Sequence, residues 1–371
     1  MSPVFWNPLT ICHVALASLQ TIFNRPASSR PSISLTFTPN FNASQHILSL
    51  SAVLEVQNAG PINAGEALLE IKMVGEGNVP SNDYQGAYAL QATDDNGVLP
   101  LMFNDTEGGT RYWYSSRATQ GSIATKFEAI PREVDEHTPV APRVDLRMDQ
   151  RGLIGVGSSF IPVPSSRDII FNIHVNWNLT STPEGTTSAW SFGDGVKSSK
   201  TGTTNILSSA AFMVGPIQKY TRKITPEHGM AKDFGVYWYG NPKAFDIQNV
   251  ASISEKIFGK MAPLFEDTED SYRIFVRFNP YRGFGGNGYL RSFVLEYDPY
   301  VVIDEDYLLY TLAHEMVHNW ILIQESEDDS VEGAWYTEGK LLCADYLMNI
   351  FHNSIILYSC LFLLKHIEKY Y

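Results

Sequence analysis

The sequence predicts an α+β, multidomain chain: an N-terminal antiparallel β-sandwich-like domain followed by a mixed α/β module. Three observations predict it. From residue 32 to about 215, short β-like runs alternate with turn residues. From residue 216 the pattern becomes strand, helix, strand, strand, helix, helix. The chain has 371 residues and is 44% hydrophobic, enough for two cores.

In chain order, residues 1–31 read as a tail or signal segment. Val4 to Leu19 is mostly apolar and Ala15-Leu16-Ala17 resembles a cleavage site, but no Lys or Arg precedes it and Pro8 and His13 interrupt it. Residues 24–32, rich in Pro, Ser, Asn and Arg, read as a linker. The β domain, 32–215, is built from alternating runs such as Ser34 to Thr38, Ile47 to Val56 and Leu68 to Val74, then Gly109 to Tyr114, Ser122 to Ile130, Asp168 to Leu179 and Ser188 to Phe192. In the second module, 216–350, Tyr220 to Ile224, Phe234 to Tyr239, Tyr272 to Phe278 and Leu290 to Tyr297 read as strands. Between them Ile247, Val250, Ile253, Ile257, Met261 and Leu264 fall at helical spacing. A helix is expected from about Glu305 to Ile323, and another from near Trp335. Residues 351–371 read as an apolar tail, where the chain is expected to be cut short. Its apolar run, Ile355 to Leu364, is about half a membrane span, so no integral span is expected.

The chemistry concentrates in His314-Glu315-Met316-Val317-His318, an HExxH motif within the first of these last two helices. Residues four apart on a helix share a face, so two imidazoles so spaced can reach one Zn²⁺ at roughly 2.0–2.1 Å. Glu315, rotated about 100° from His314, reaches a water on the metal without ligating it, and is the expected general base. A catalytic zinc takes three protein ligands and leaves one position open. The expected third is Glu338 in Trp335-Tyr336-Thr337-Glu338-Gly339. Glu325, Glu327, Asp328, Asp329 and Glu332 lie instead in an acidic run that reads as a solvated loop, whereas Glu338 sits among aromatics where a carboxylate needs a compensating charge. Asp345, two helical turns after Glu338, is either an acceptor for a ligand histidine's second N–H or a solvent-facing residue.

The glycine-rich Gly283 to Gly288 lacks the strand-turn-helix setting of a phosphate loop and reads as a turn joining two strands. Gly285, Gly286 and Asn287 are candidate substrate-binding residues, because an edge strand beside the metal can pair with an extended peptide. A plain glycine-rich hairpin is the alternative.

Composition narrows the function. A formal net charge of −13 gives no electrostatic footprint for nucleic acid. Three widely spaced cysteines, Cys12, Cys343 and Cys360, form neither a disulfide framework nor a thiolate metal pair. A metal must therefore be held by nitrogen and oxygen. The cysteine usage is compatible with a reducing compartment, with secretion as the alternative.

Through the segments His314 to Trp320, Trp335 to Gly339 and Gly155 to Trp177, the chain resembles the glycyl-aminopeptidase-like family of gluzincin metallopeptidases. More distantly it resembles the membrane-alanyl-aminopeptidase and leukotriene-A4-hydrolase group. The resemblance covers most of residues 33 to 348. It implies a β domain packed on a thermolysin-like catalytic domain, one zinc ion, and release of N-terminal residues from a peptide or protein substrate. Two departures stand out. The family's Gly-Gly-x-Glu-His-type segment, whose Glu can bind the substrate's free amine, stands here as Gly285-Gly286-Asn287-Gly288-Tyr289. The family's following helical domain, with its oxyanion-stabilising tyrosine, is not matched after Phe351. The alternative expectation is therefore a truncated, inactive fragment that binds zinc or a partner; another metal-dependent hydrolase on the same scaffold is a third.

Overall fold

The computed structural model describes residues 30–74, 79–139, 143–225, 231–300, 303 and 305–320. Residues 1–29, the predicted helix near Trp335 and the tail 351–371 lie outside them.

Three sheets fill the N-terminal part. The largest has seven strands, running in space from Lys197–Gly202 through Phe171–Trp177, Ser32–Phe41, Ile47–Gln57, Ile123–Ala129 and Gln91–Asp94 to Gly97–Leu99. Its centre follows from alternation: Ile33, Leu35 and Phe37 are buried on one face, while their neighbours in sequence are half-exposed. One pair departs from the expected antiparallel pattern. Ser32–Phe41 pairs in parallel with Phe171–Trp177, in register Leu35 to Val175. A parallel pair needs a long crossover, and the intervening chain supplies it by forming the other strands of the region.

A four-stranded sheet contains Ala67–Lys72 and Thr110–Ser115, and a five-stranded sheet contains Gly152–Val156 and Ala211–Gly215. Both of the latter strands are buried on both faces. One hydrophobic cluster draws on all three sheets, with Phe37, Leu54, Leu69, Trp113, Phe160, Trp190 and Phe212 inside it.

The C-terminal sheet has five strands in the order Ile217–Ile224, Lys232–Tyr239, Ser271–Phe278, Ser292–Tyr297, Gly285–Tyr289. The middle pairs are parallel, and the helix Ile247–Leu264 makes the crossover between Lys232–Tyr239 and Ser271–Phe278. Asp246 caps that helix, accepting from the Gln248 and Asn249 amides. The helix buries Val250, Ala251, Ile257, Phe258 and Met261 in a second core with Ile274, Phe293 and Leu295. The glycine-rich segment differs from the expected turn. Gly285–Tyr289 is a strand in its own right, at the sheet's edge, paired antiparallel with Ser292–Tyr297. The turn is Leu290-Arg291, with Arg291 at φ 58°.

A smaller apolar cluster joins the two halves, with Ile154, Val156 and Met213 meeting Tyr237, Tyr239, Phe275 and Val294. Beside it runs a buried polar seam. Arg277 donates to the Asp145 carbonyl at 2.7 Å, to Asp145 Oδ1 at 3.0 Å and to Glu296 Oε1 at 2.5 Å. Arg147 pairs with the same Glu296 and donates to Asn279 Oδ1 at 3.0 Å and Tyr281 Oη at 3.1 Å. Glu296 is 0% exposed. Burial works against the Asp145 charge, but Arg277, Arg147 and Arg132 outweigh it and hold the carboxyl below its ordinary range.

Asp149 lies on the same seam and accepts the Phe278 amide at 2.9 Å. Burial nevertheless pushes its carboxyl up to about 6. Between the ordinary value of 3.8 and about 6, the folded state keeps a proton that the unfolded chain has lost. This group's contribution therefore becomes unfavourable as pH rises through that window, by roughly 3 kcal/mol once complete. Asp149→Asn removes the titration. Denaturant unfolding at pH 4 and pH 7 is expected to show the variant gaining on the wild type by up to that amount at the higher pH.

Among the described residues no helix is long and apolar enough to cross a membrane.

Candidate active site

The motif helix runs Glu305–Val317, and His318 to Trp320 form the turn that ends it. Leu308, Leu312, Ala313, Met316 and Val317 anchor one side in the second core. That pattern leaves His314, Glu315 and His318 off the core side, with Glu315 and His318 against the edge strand. The turn is pinned by Trp320, whose ring stacks on Phe265 at 5.0 Å and lies near Phe258 and Tyr272 at 6.0 and 6.3 Å.

The His314 and His318 ring centroids are 5.0 Å apart with planes at 86°. Tyr310 lies against His314 at 5.8 Å. Both histidines are half-buried, and Glu315 is 8% exposed. Burial, helped by the neighbouring His314, pulls His318 down to about 4. At neutral pH it is an uncharged imidazole, the form that ligates a metal. Its Nδ1 is buried without a hydrogen-bond partner, and a buried polar atom left so is costly unless something fills the role. This donor set fits zinc. The described residues contain no group of three or more His, Cys, Asp or Glu able to hold a metal; the expected third ligand Glu338 and the expected acceptor Asp345 lie outside them.

The edge strand presses directly on these residues. A Cβ on Gly286 would stand 2.4 Å from Glu315 Cγ, and one on Gly288 would stand 2.6 Å from His318 Cβ. Glycine at both positions is what lets the strand approach this closely. On the strand's other face, Asn287 Oδ1 accepts from the Arg143 amide at 3.1 Å and from Arg143 Nη1 at 3.2 Å. Thus Gly286, with Gly288, lies against Glu315 and His318, whereas Gly285 and Asn287 meet Arg143. Sequence reasoning missed Trp320 as an anchor and Arg143 as a contact of this strand. An aromatic two residues beyond HExxH carries a weak signal; Arg143 carries none.

No family model matches the sequence, and no curated protein matches it. Among solved structures, the chain is similar to an aminopeptidase N family protein from Idiomarina loihiensis, with a TM-score of 0.56 at 15% identity over 85% of this chain and 54% of that one. It is also similar to a mutant M1 zinc metallopeptidase from Deinococcus radiodurans bound to a Tyr-Ser-Ala substrate. There the TM-score is 0.50 at 14% identity, over 88% of this chain and 71% of that one. At these identities the likeness is one of fold: several β-sheets arranged as in the β domain of zinc aminopeptidases. The chain spans about half the length of the first of these structures.

Proposed function

We propose that the chain carries the zinc site of a gluzincin peptidase and hydrolyses peptide bonds. The observation that carries this reading is the pairing of His314 and His318, their rings 5.0 Å apart at the end of the motif helix, with an unpartnered Nδ1 on His318. The fold shared with zinc aminopeptidase structures supports it. In this reading His314, His318 and Glu338 hold the metal, and the module from residue 216 to 350 is thermolysin-like. Zinc, when bound, lowers the pKa of a water and polarises the scissile carbonyl. Glu315 accepts the proton of the attacking water and returns it to the leaving amine. Its low exposure keeps bulk water from competing for that proton. Among the described residues Gly285–Tyr289 has no strand on its outer side, and in this reading that side offers backbone groups to an extended substrate.

A preference for free N-termini, as in the glycyl-aminopeptidase-like family, is the finer proposal. The glutamate that would bind the amine corresponds to Gly288, where even a Cβ meets His318. Any recognition of the amine must therefore come from another residue.

The test is hydrolysis of short unblocked and N-blocked peptides. Activity that a chelator abolishes and added Zn²⁺ restores is the expected result. Chelator-resistant hydrolysis would contradict it. Zinc bound without hydrolysis would favour the inactive-fragment alternative.

A further inference from the structure

The edge strand lies between two sets of contacts. One face presses on the motif helix at Glu315 and His318. Arg143, which belongs to the N-terminal part of the chain, holds the strand from elsewhere. Its Nη1 donates to the Gly286 carbonyl and to Asn287 Oδ1, both at 3.2 Å, and its backbone amide donates to Asn287 Oδ1 at 3.1 Å. Its Nε lies 3.4 Å from Glu296 Oε2, and Glu296 is fixed in turn by Arg147, Arg277 and Asn279. Space beside Arg143 is also limited, since a Cβ on Gly285 would stand 2.9 Å from its Nη2. A strand with three glycines in five residues has little rigidity of its own. Its place over Glu315 must therefore be set by what it bonds to.

We propose that Arg143 is a positioning residue for substrate: it braces Gly286 and Asn287 from the N-terminal half and so sets how the strand that pairs with the peptide lies over Glu315 and His318. The link to substrate rests on the peptidase reading; the bracing itself does not. Losing Arg143 loosens the strand on that face, while its ladder to Ser292–Tyr297 and the two histidines stay in place. Lys can restore one bond to the Gly286 carbonyl but lacks the forked geometry that reaches two acceptors.

Two readouts on the 371-residue chain test this in Arg143→Ala, Arg143→Lys and Asn287→Ala. The first is hydrogen exchange of the amides of 285–289. About tenfold faster exchange confined to that strand is expected for Arg143→Ala, with less for Arg143→Lys and Asn287→Ala. The strand 292–297 and the helix 305–317 should keep wild-type rates. The second is peptide turnover: KM is expected to rise about tenfold in Arg143→Ala with kcat within about threefold and zinc content unchanged, and Arg143→Lys to recover part of the loss. Unchanged exchange at 285–289 in both alanine variants overturns the proposal. Faster exchange throughout the chain overturns it as well, by making Arg143 a general structural residue. Faster local exchange with an unchanged KM overturns the link to substrate. If the wild type cleaves no peptide, the peptidase reading fails, and the exchange measurement alone decides the bracing role.

Discussion

Glu315→Gln is expected to keep its zinc and lose about 10²- to 10⁴-fold in peptide turnover, the range that a positioned general base contributes. The substitution is nearly isosteric, which matters because Gly286 sits close enough that a Cβ there would reach 2.4 Å from Glu315 Cγ. The amide fits the same space and leaves the strand where it is. What it loses is the ability to take a proton from the attacking water. Glu315 stands beside the imidazoles without being one of the expected ligands, so metal affinity should change little. Steady-state kinetics paired with metal analysis checks both halves. Wild-type turnover in the variant would remove Glu315 from the mechanism, and loss of zinc would make it a ligand.

The second large effect concerns stability. Glu296→Gln is expected to destabilise the chain by about 3–5 kcal/mol, the usual consequence of removing one partner from a buried ion pair. Glu296 is fully buried, and Arg143, Arg147 and Arg277 converge on it. Burial, with the neighbouring Arg147 adding to it, pulls the Arg277 guanidinium down to about 10. Removing the carboxylate leaves Arg147 and Arg277 paired with Asp145 alone among the described carboxylates. Glutamine keeps the shape and part of the hydrogen bonding, so the loss reports charge more than packing. Denaturant unfolding at fixed pH measures it. A change below about 1 kcal/mol would mean that the seam's net electrostatic contribution is small, as some buried pairs show.

The seam is also the clearest case of what the sequence could not reveal. Arg147 meets Asn279, Tyr281 and Glu296, which lie 132, 134 and 149 residues later. Nothing local to Asp145-Leu146-Arg147 separates a buried charge cluster from a solvated loop. Local patterns were legible. The alternation of Ile47 to Val56 became the strand Ile47–Gln57, and the helical spacing read over Asp246 to Phe265 became the helix Ile247–Leu264. HExxH was legible because its spacing is local: His314 lies in the last turn of the helix Glu305–Val317 and His318 directly follows it. The glycine-rich segment was misread because glycine carries no β signal of its own. Gly285–Tyr289 is a strand through its pairing with Ser292–Tyr297 and its fit against Glu315 and His318, both settled by tertiary packing. The parallel pairing of Ser32–Phe41 with Phe171–Trp177 was hidden for the same reason. Alternation shows which face of a strand is buried, not which strand lies beside it.

The central claim is that His314 and His318 hold a metal, and metal content measured by elemental mass spectrometry tests it most directly. The wild-type chain and His318→Ala would be purified side by side and shown to be folded. About one zinc per wild-type chain, absent from His318→Ala, is the predicted result. A folded wild-type chain without zinc, or a variant that keeps it, would contradict the account.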